Sequence, residues 1–303
     1  MNTFACVDIG GTAIKYGILR ADGTIVEKAE TPTQAHLGGV ALAGKVKGLV
    51  EALIKKDPAI AGVAISSAGV VDSEKGCIIH ASDAIPEYIG VDYKEVVERP
   101  LGLPVEVEND VNCAGLAEAK SGAGQGASSM LMLTIGTGIG GCFIENGQLL
   151  NGSCFSACEV GYIPIDGVPF QDAGATTALV RDVANRKGEP EEEWNGKRIF
   201  ALADAGDADC VAAIDTMCEV LGQGMAMISF VLNPEKIVLG GGIMAQGEKM
   251  RDRLERVFAA HTIPLIAKNT KIAFAGHAND AGMQGALVHF LNKHPELGCE
   301  NHG

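Results

Sequence analysis

Asp110 stands where an alternating apolar run, Val105-Glu-Val-Glu-Asn109, gives way to a small-residue helical pattern over residues 110–118. A carboxylate in the first turn of a helix meets unpaired N–H groups and the positive end of the helix dipole, so it is held ionised on a rigid element and can accept a proton. The same position suits a helix cap, and locally Asn109 or Asp110 can be doing no more than that. Asp8 closes another apolar run just before Gly10-Gly11. There it can hold a phosphate-bound Mg²⁺, directly or through water, or simply shape the turn. Thr12 and Lys15 follow as candidate donors to phosphate oxygens, although Lys15 is equally suited to a solvated strand face.

Three glycine clusters end apolar runs: Gly10-Gly11, the turn running Gly136-Thr137-Gly138-Ile-Gly140-Gly141, and Gly240-Gly241-Gly242. Without a side chain, consecutive backbone N–H groups can converge on an anion. Two clusters lie in strand–turn–strand units and the third at a strand-to-helix junction, a set that describes a nucleotide held between two lobes. Neither Gly-x-x-x-x-Gly-Lys-[Ser/Thr] nor a Gly-x-Gly-x-x-Gly opening a βαβ unit is present, so Walker and Rossmann sites are unsupported.

The elements that must position these residues follow from periodicity. Residues 4–19 read as strand, Gly-Gly turn and strand, with a third strand toward Glu30; 37–54 has helical spacing, and 60–65 is a buried strand running into Ser66-Ser-Ala-Gly69. In 105–118, Val105 and Val107 alternate with Glu106 and Glu108 as in a half-buried strand. Residues 120–129 are rich in glycine and serine, a flexible connector and the candidate lobe boundary. After it, 131–149 repeats the opening, with Asn146-Gly147 turning into a third strand. Val7-Asp-Ile-Gly-Gly-Thr and Leu133-Thr-Ile-Gly-Thr-Gly share their punctuation at an offset of about half the chain, which supports duplication. Helical patterns cover 178–187, 196–205 and 207–232, the last with a core stripe from Val211 to Leu232; 189–193 is a solvated acidic loop. A short strand at 236–239, a helix to Ala260, a strand at 271–274 and a glycine-interrupted helix over 279–291 complete the chain.

At 303 residues, two lobes or a duplicated fold are expected. A net charge of −14 argues against a nucleic-acid or anionic-membrane surface, both of which need a basic face. No uninterrupted apolar run is long enough to span a bilayer, and a basic region followed by an apolar signal core is not found at the N-terminus, so the expected location is cytoplasmic. Most of the nine cysteines fall inside apolar patterns, which implies a reducing compartment. Cys154 and Cys158 are a close pair with no second Cys or His pair nearby, an improbable zinc site.

In this order, Asp8-Ile-Gly-Gly-Thr-x-Ile-Lys15, Asn109-Asp110-x-Asn112, Ile135-Gly-Thr-Gly-Ile-Gly-Gly141, Asn146-Gly147, Glu159-Val-Gly161 and Leu239-Gly-Gly-Gly242 resemble the ROK family (repressors, open reading frames, sugar kinases) over essentially the whole chain. The resemblance implies an α/β, duplicated ribonuclease-H-like fold of the sugar-kinase and actin type, with ATP and a sugar in the cleft between two lobes. It implies an N-terminal lobe over 1–119, completed by a C-terminal helix over 280–303, and a larger lobe over 120–279. Asp110 matches the family's catalytic base, Asn109 and Glu159 its sugar ligands, and Gly69 a loop closing over the sugar. Gly10, Gly11, Thr12 and the 136–141 turn match the phosphate hairpins, and Gly241 and Gly242 the adenosine side. A homodimer is also implied.

The departures bear on substrate. Most members follow Glu-x-Gly with His and a cysteine-rich zinc loop; here Tyr162 replaces that His, and residues 163–174 contain no cysteine, so structural zinc is not expected. The family's His touches the sugar, which makes Tyr162 a specificity position. A similar zinc-free Glu-x-Gly-Tyr occurs in members resembling β-glucoside kinases. The expected reaction is ATP-dependent phosphorylation of a hexose at its 6-hydroxyl with Mg²⁺, the alternatives being a β-glucoside, a disaccharide or N-acetylmannosamine. The non-enzyme alternative is a sugar-responsive regulator lacking its DNA-binding module: Asp8 of the first hairpin arrives within ten residues, so this reading requires a partner to supply DNA binding, and an actin- or chaperone-like ATPase would not need sugar ligands.

Overall fold

A computed structural model describes residues 1–298, and the last five positions of the helix expected over 280–303 lie outside the described residues. Two compact units emerge: the first takes Met1–Lys120, Asn151–Ala157 and the chain from Asn279 onward, the second Ser121–Leu150 and Cys158–Ala278.

In the first unit, β1 (Thr3–Ile9), β2 (Ala13–Arg20), β3 (Ile25–Pro32), β4 (Ile60–Ser67) and β7 (Val105–Asn109) form one sheet in the order β3-β2-β1-β4-β7. β5 (Val70–Asp72) and β6 (Cys77–His80) make a small hairpin beside it. β1 pairs antiparallel with β2 and parallel with β4, and β4 is parallel to β7. The helix Gly39–Lys56 covers one face, through Leu42, Val46, Val50 and Leu53. The helix Ala281–Lys293 contributes Met283, Leu287 and Phe290 to a cluster with Phe4 and Cys6.

The second unit repeats this order: β10 (Gln148–Leu149), β9 (Ile139–Glu145), β8 (Ser129–Ile135), β13 (Lys236–Gly240) and β14 (Lys271–Phe274), with the same alternation of antiparallel and parallel neighbours. The repeat inferred from punctuation is thus a repeat of topology. β11 (Pro164–Ile165) and β12 (Val168–Pro169) form a two-residue hairpin followed by the short helix Phe170–Gly174. Fully buried Phe170 anchors this segment in the core.

Two expectations change. A half-buried strand leaves its polar face to solvent, yet Glu106 and Glu108 are 5% and 2% exposed. The alternation is right, but helix Ala281–Lys293 and the turn after it cover the polar face, bringing His289 and His294 toward the two glutamates. The 120–129 stretch is not a loose connector: the helix Asp110–Ser121 runs into it, and Lys236 Nζ donates to the carbonyls of Ala123 and Gln125 at 3.1 and 3.0 Å. Helix Ala208–Leu232 is long and apolar enough to cross a membrane by length and composition, but 56% of its most apolar window is buried in the structure. Its stripe from Ile214 through Met217, Leu221 and Met225 to Ile228 packs in the second unit's core.

Candidate active site

β7 ends at Asn109, and the next residue begins a helix. Asn109 Oδ1 accepts the N–H groups of Val111 and Asn112 at 2.9 and 3.1 Å, so Asn109 performs the capping. Asp110 Oδ1 accepts from the Val111 N–H at 2.9 Å and from Asn109 Nδ2 at 3.1 Å. Among the described residues Asp110 Oδ2 has no hydrogen-bond partner. Burial first, and the charge of Asp8 second, push the Asp110 carboxyl up to about 6, against the hydrogen bonds that favour its ionised form. A carboxylate tuned toward neutrality with one oxygen unclaimed can serve as a general base near physiological pH.

Asp8 lies in β1, opposite Lys15 of β2 and beside Ser66 of β4. Ser66 Oγ donates to Asp8 Oδ1 at 2.7 Å. Burial raises the Asp8 carboxyl, and Ser66 and Lys15 oppose that rise. A Cβ on Gly282 would lie 2.3 Å from the Asp8 carboxyl carbon, so the start of helix Ala281–Lys293 rests on this side chain. Lys15 Nζ donates to the Asn279 carbonyl at 3.0 Å, tying the same turn to β2. The Asp8 charge raises the proton affinity of Asp110, and two carboxylates so placed form a donor set suited to a divalent cation.

The first hairpin closes through Gly10 N–H to Ala13 O at 3.1 Å, leaving Gly11 and Thr12 exposed. Thr33 braces it, its hydroxyl donating to Gly10 O at 2.6 Å and its N–H to Thr12 O at 2.8 Å. In the second unit Gly136 N–H reaches Gly138 O at 2.9 Å; the Thr176 N–H donates to Gly136 O and the Thr177 hydroxyl to Thr137 O, each at 2.9 Å. Gly140 lies in β9 opposite Thr134. Sequence reasoning missed Thr33, Thr176 and Thr177, which are remote from the hairpins along the chain and carry no motif.

Gly69 adopts φ +92°, where a Cβ would also meet His80 O at 2.7 Å, and its carbonyl accepts from Asn109 Nδ2 at 2.9 Å. The first unit therefore brings together Asp8, Asn109, Asp110 and the 66–69 loop. Glu159 and Tyr162 are on the second unit, bracketing the turn Val160–Tyr162, and both are exposed, Tyr162 by 64%. Missing side chains let this turn sit tight against β9: a Cβ on Gly141 would be 2.8 Å from Val160 Cγ2, and one on Gly161 2.4 Å from Ile139 O. Gly241, at φ +100°, approaches Ile135 O where any Cβ would be at 2.1 Å, while Gly242 has open space around it.

Duplicated sheets with paired glycine hairpins define a fold class that sugar kinases share with actin-like proteins, and comparison with known proteins makes it particular. The ROK family profile matches residues 4–293. A β-glucoside kinase of Listeria monocytogenes is 34% identical over 95% of this chain and 97% of its own. The crystal structure of a ROK family protein from Streptococcus pneumoniae in complex with sucrose is similar at a TM-score of 0.83 and 31% identity, covering 97% of this chain and 99% of the other. A ROK family glucokinase from Streptomyces griseus in complex with glucose and AMPPNP gives a TM-score of 0.80 at 26% identity, covering 94% and 98%. The chain belongs to the ROK family. Its enzyme class is that of an ATP-dependent carbohydrate kinase.

Proposed function

We propose that this kinase transfers the γ-phosphoryl group of ATP to the 6-hydroxyl of a hexose, with Asp110 as general base. The observation that carries this reading is the Asp110 carboxyl itself, raised to about 6 beside Asp8 and with Oδ2 unclaimed. Asp110 takes the hydroxyl proton as the sugar oxygen attacks in line. Asn109 and the loop ending at Gly69 orient the sugar in the first unit, and Glu159 and Tyr162 contribute from the second. The hairpins at Gly10, Gly11 and Thr12 and at Gly136, Thr137, Gly138 and Gly140 bind phosphate oxygens, the Gly10 and Gly136 N–H groups closing the turns that present the rest, with Lys15 adding charge; Gly241 and Gly242 serve the adenosine. Asp8 would hold Mg²⁺, directly or through water, and the ion would supply charge neutralisation on the phosphates. Positioning and electrostatics provide most of the rate in such a transfer.

A second reading, phosphorylation of a β-glucoside or disaccharide, is favoured by Tyr162 standing in place of the family's His and by the β-glucoside kinase and sucrose-bound relatives. Exposed Met227, Phe230 and Val231, at helical i, i+3, i+4 spacing, support a homodimer; the free thiols of Cys6, Cys113 and Cys210 suit a cytoplasmic setting.

The test is ADP formation with Mg²⁺ against glucose, N-acetylmannosamine, N-acetylglucosamine, mannose, fructose, allose and cellobiose, with phosphosugar detected directly. Strong turnover on glucose with product at O6 supports the first reading, and preference for cellobiose supports the second. ATP hydrolysis indifferent to every sugar would sink both.

A further inference from the structure

Three hydroxyl groups form a buried chain behind the loop that carries Gly69. Tyr93 Oη is 2.9 Å from Tyr88 Oη, and Tyr88 Oη is 2.6 Å from Ser67 Oγ. Tyr88 and Tyr93 are 1% and 0% exposed, and Ser67 is fully buried. Ser67 Oγ lies 3.0 Å from the Ala68 carbonyl, an acceptor only. The arrangement in which every proton has an acceptor runs one way: Ser67 donates to Ala68 O, Tyr88 to Ser67 and Tyr93 to Tyr88, whereas the reverse direction leaves the Tyr93 proton without one in this chain. Burial raises both phenols above their ordinary range, Tyr93 most, so the protons stay in place across working pH.

The chain ends on the backbone of the sugar-facing loop. Ala68 O receives the Ser67 proton and Gly69 O receives Asn109 Nδ2, so two successive carbonyls of the loop are fixed. Ser67 is the register partner of Asn109 across β4 and β7, which links the loop to the residue preceding Asp110. Tyr88 is itself held: the Gly39 N–H donates to Pro86 O at 2.8 Å, and a Cβ on Gly39 would lie 2.7 Å from Tyr88 Cα. Only a glycine at the start of helix Gly39–Lys56 lets the segment carrying Tyr88 lie so close.

We propose that Tyr88 and Tyr93 are positioning residues for sugar binding, acting through Ser67 to hold the 66–69 loop in its sugar-receiving conformation. The proposal rests on the assignment of that loop to the sugar. Hydrogen bonds in series reinforce one another, so Tyr93 acts only by way of Tyr88.

The test is steady-state kinetics of Tyr88→Phe, Tyr93→Phe and the double variant, on the sugar the wild type uses best, with melting temperature measured in parallel. Each change removes one oxygen and keeps the ring. Loss of one such bond corresponds to roughly a 3–10-fold rise in sugar KM for Tyr88→Phe, and about 2–3-fold for Tyr93→Phe. The KM for ATP stays unchanged and kcat stays within about twofold. The double variant should match Tyr88→Phe alone, because the upstream hydroxyl has lost its route. Additive KM effects, or lowered melting temperatures with sugar KM unmoved, overturn the proposal. Should Tyr88→Phe not fold, Ser67→Ala must give the same rise in sugar KM, and an unchanged KM there overturns it equally. A wild type that phosphorylates no sugar would overturn the parent assignment, an outcome distinct from an active wild type whose variants bind sugar normally.

Discussion

Gly282 stands so close to Asp8 that a methyl group on it would fall 2.3 Å from the carboxyl carbon and 2.3 and 2.6 Å from the two oxygens. The helix Ala281–Lys293 is pinned at this end by Lys15 on Asn279 O and by the Lys28–Asp280 ion pair at 2.9 Å, so it cannot simply retreat.

Gly282→Ala should therefore displace Asp8 from Ser66. Overpacking of this kind costs about 1–3 kcal/mol. Turnover is expected to fall by ~10-fold or more, accompanied by a lower melting temperature. Unchanged kinetics in this variant would mean that the Asp8 carboxylate has no part in the reaction.

Asp110 couples activity and stability to pH. As a base it must be ionised, so kcat/KM should rise with pH through a midpoint near 6. Its folded pKa lies above the ordinary 3.8, so folding favours the protonated form. That contribution is fully present below about pH 4 and is lost as pH rises through 6, amounting to at most ~3 kcal/mol. Asp110→Asn should thus lose roughly 10²–10⁴-fold in turnover, retain sugar binding by calorimetry, and melt higher than wild type at pH 8 but not at pH 4. Near-normal turnover in this variant would remove Asp110 from the role of base.

Glu108 anchors the strand-to-helix turn beneath Asp110: its Oε1 accepts from the Asn109 N–H at 2.8 Å and from Asn112 Nδ2 at 2.9 Å. Glu108→Ala leaves both donors without their acceptor, at about 1–3 kcal/mol each. Glu108→Gln keeps an acceptor oxygen and should recover most of the loss. Thermal melts and kcat of the pair decide the matter, and equal behaviour of Ala and Gln would refute the anchoring role.

Tyr162 is exposed, so Tyr162→His should leave the melting temperature nearly unchanged. If Tyr162 sets sugar preference, the ratio of kcat/KM between cellobiose and glucose should move by roughly 10-fold. A ratio that stays put would assign specificity elsewhere.

Much of the fold was legible because its signals are local. Gly10-Gly11 and Asn146-Gly147 mark hairpins through turn chemistry, and the period of two in 105–109 followed by helical spacing locates Asp110 at a strand end. The repeat was readable as well, since both sheets use the same order of strand and turn. Glu106 and Glu108 were misread for the converse reason. Their alternation fixes which face they share, but not that a helix almost 180 residues later covers it with His289 and His294.

The sequence by itself determined the order of elements, the glycine hairpins and the carboxylates at Asp8 and Asp110, because periodicity and turn propensity act over a few residues. Only the tertiary structure decided what surrounds them. Thr33 bracing the first hairpin, Gly282 against Asp8, the tyrosine chain ending on Ala68 and the rise of Asp110 toward neutrality all arise from contacts between segments distant in the chain. Burial and proximity of charge set these properties, and neither is encoded in any single stretch of residues.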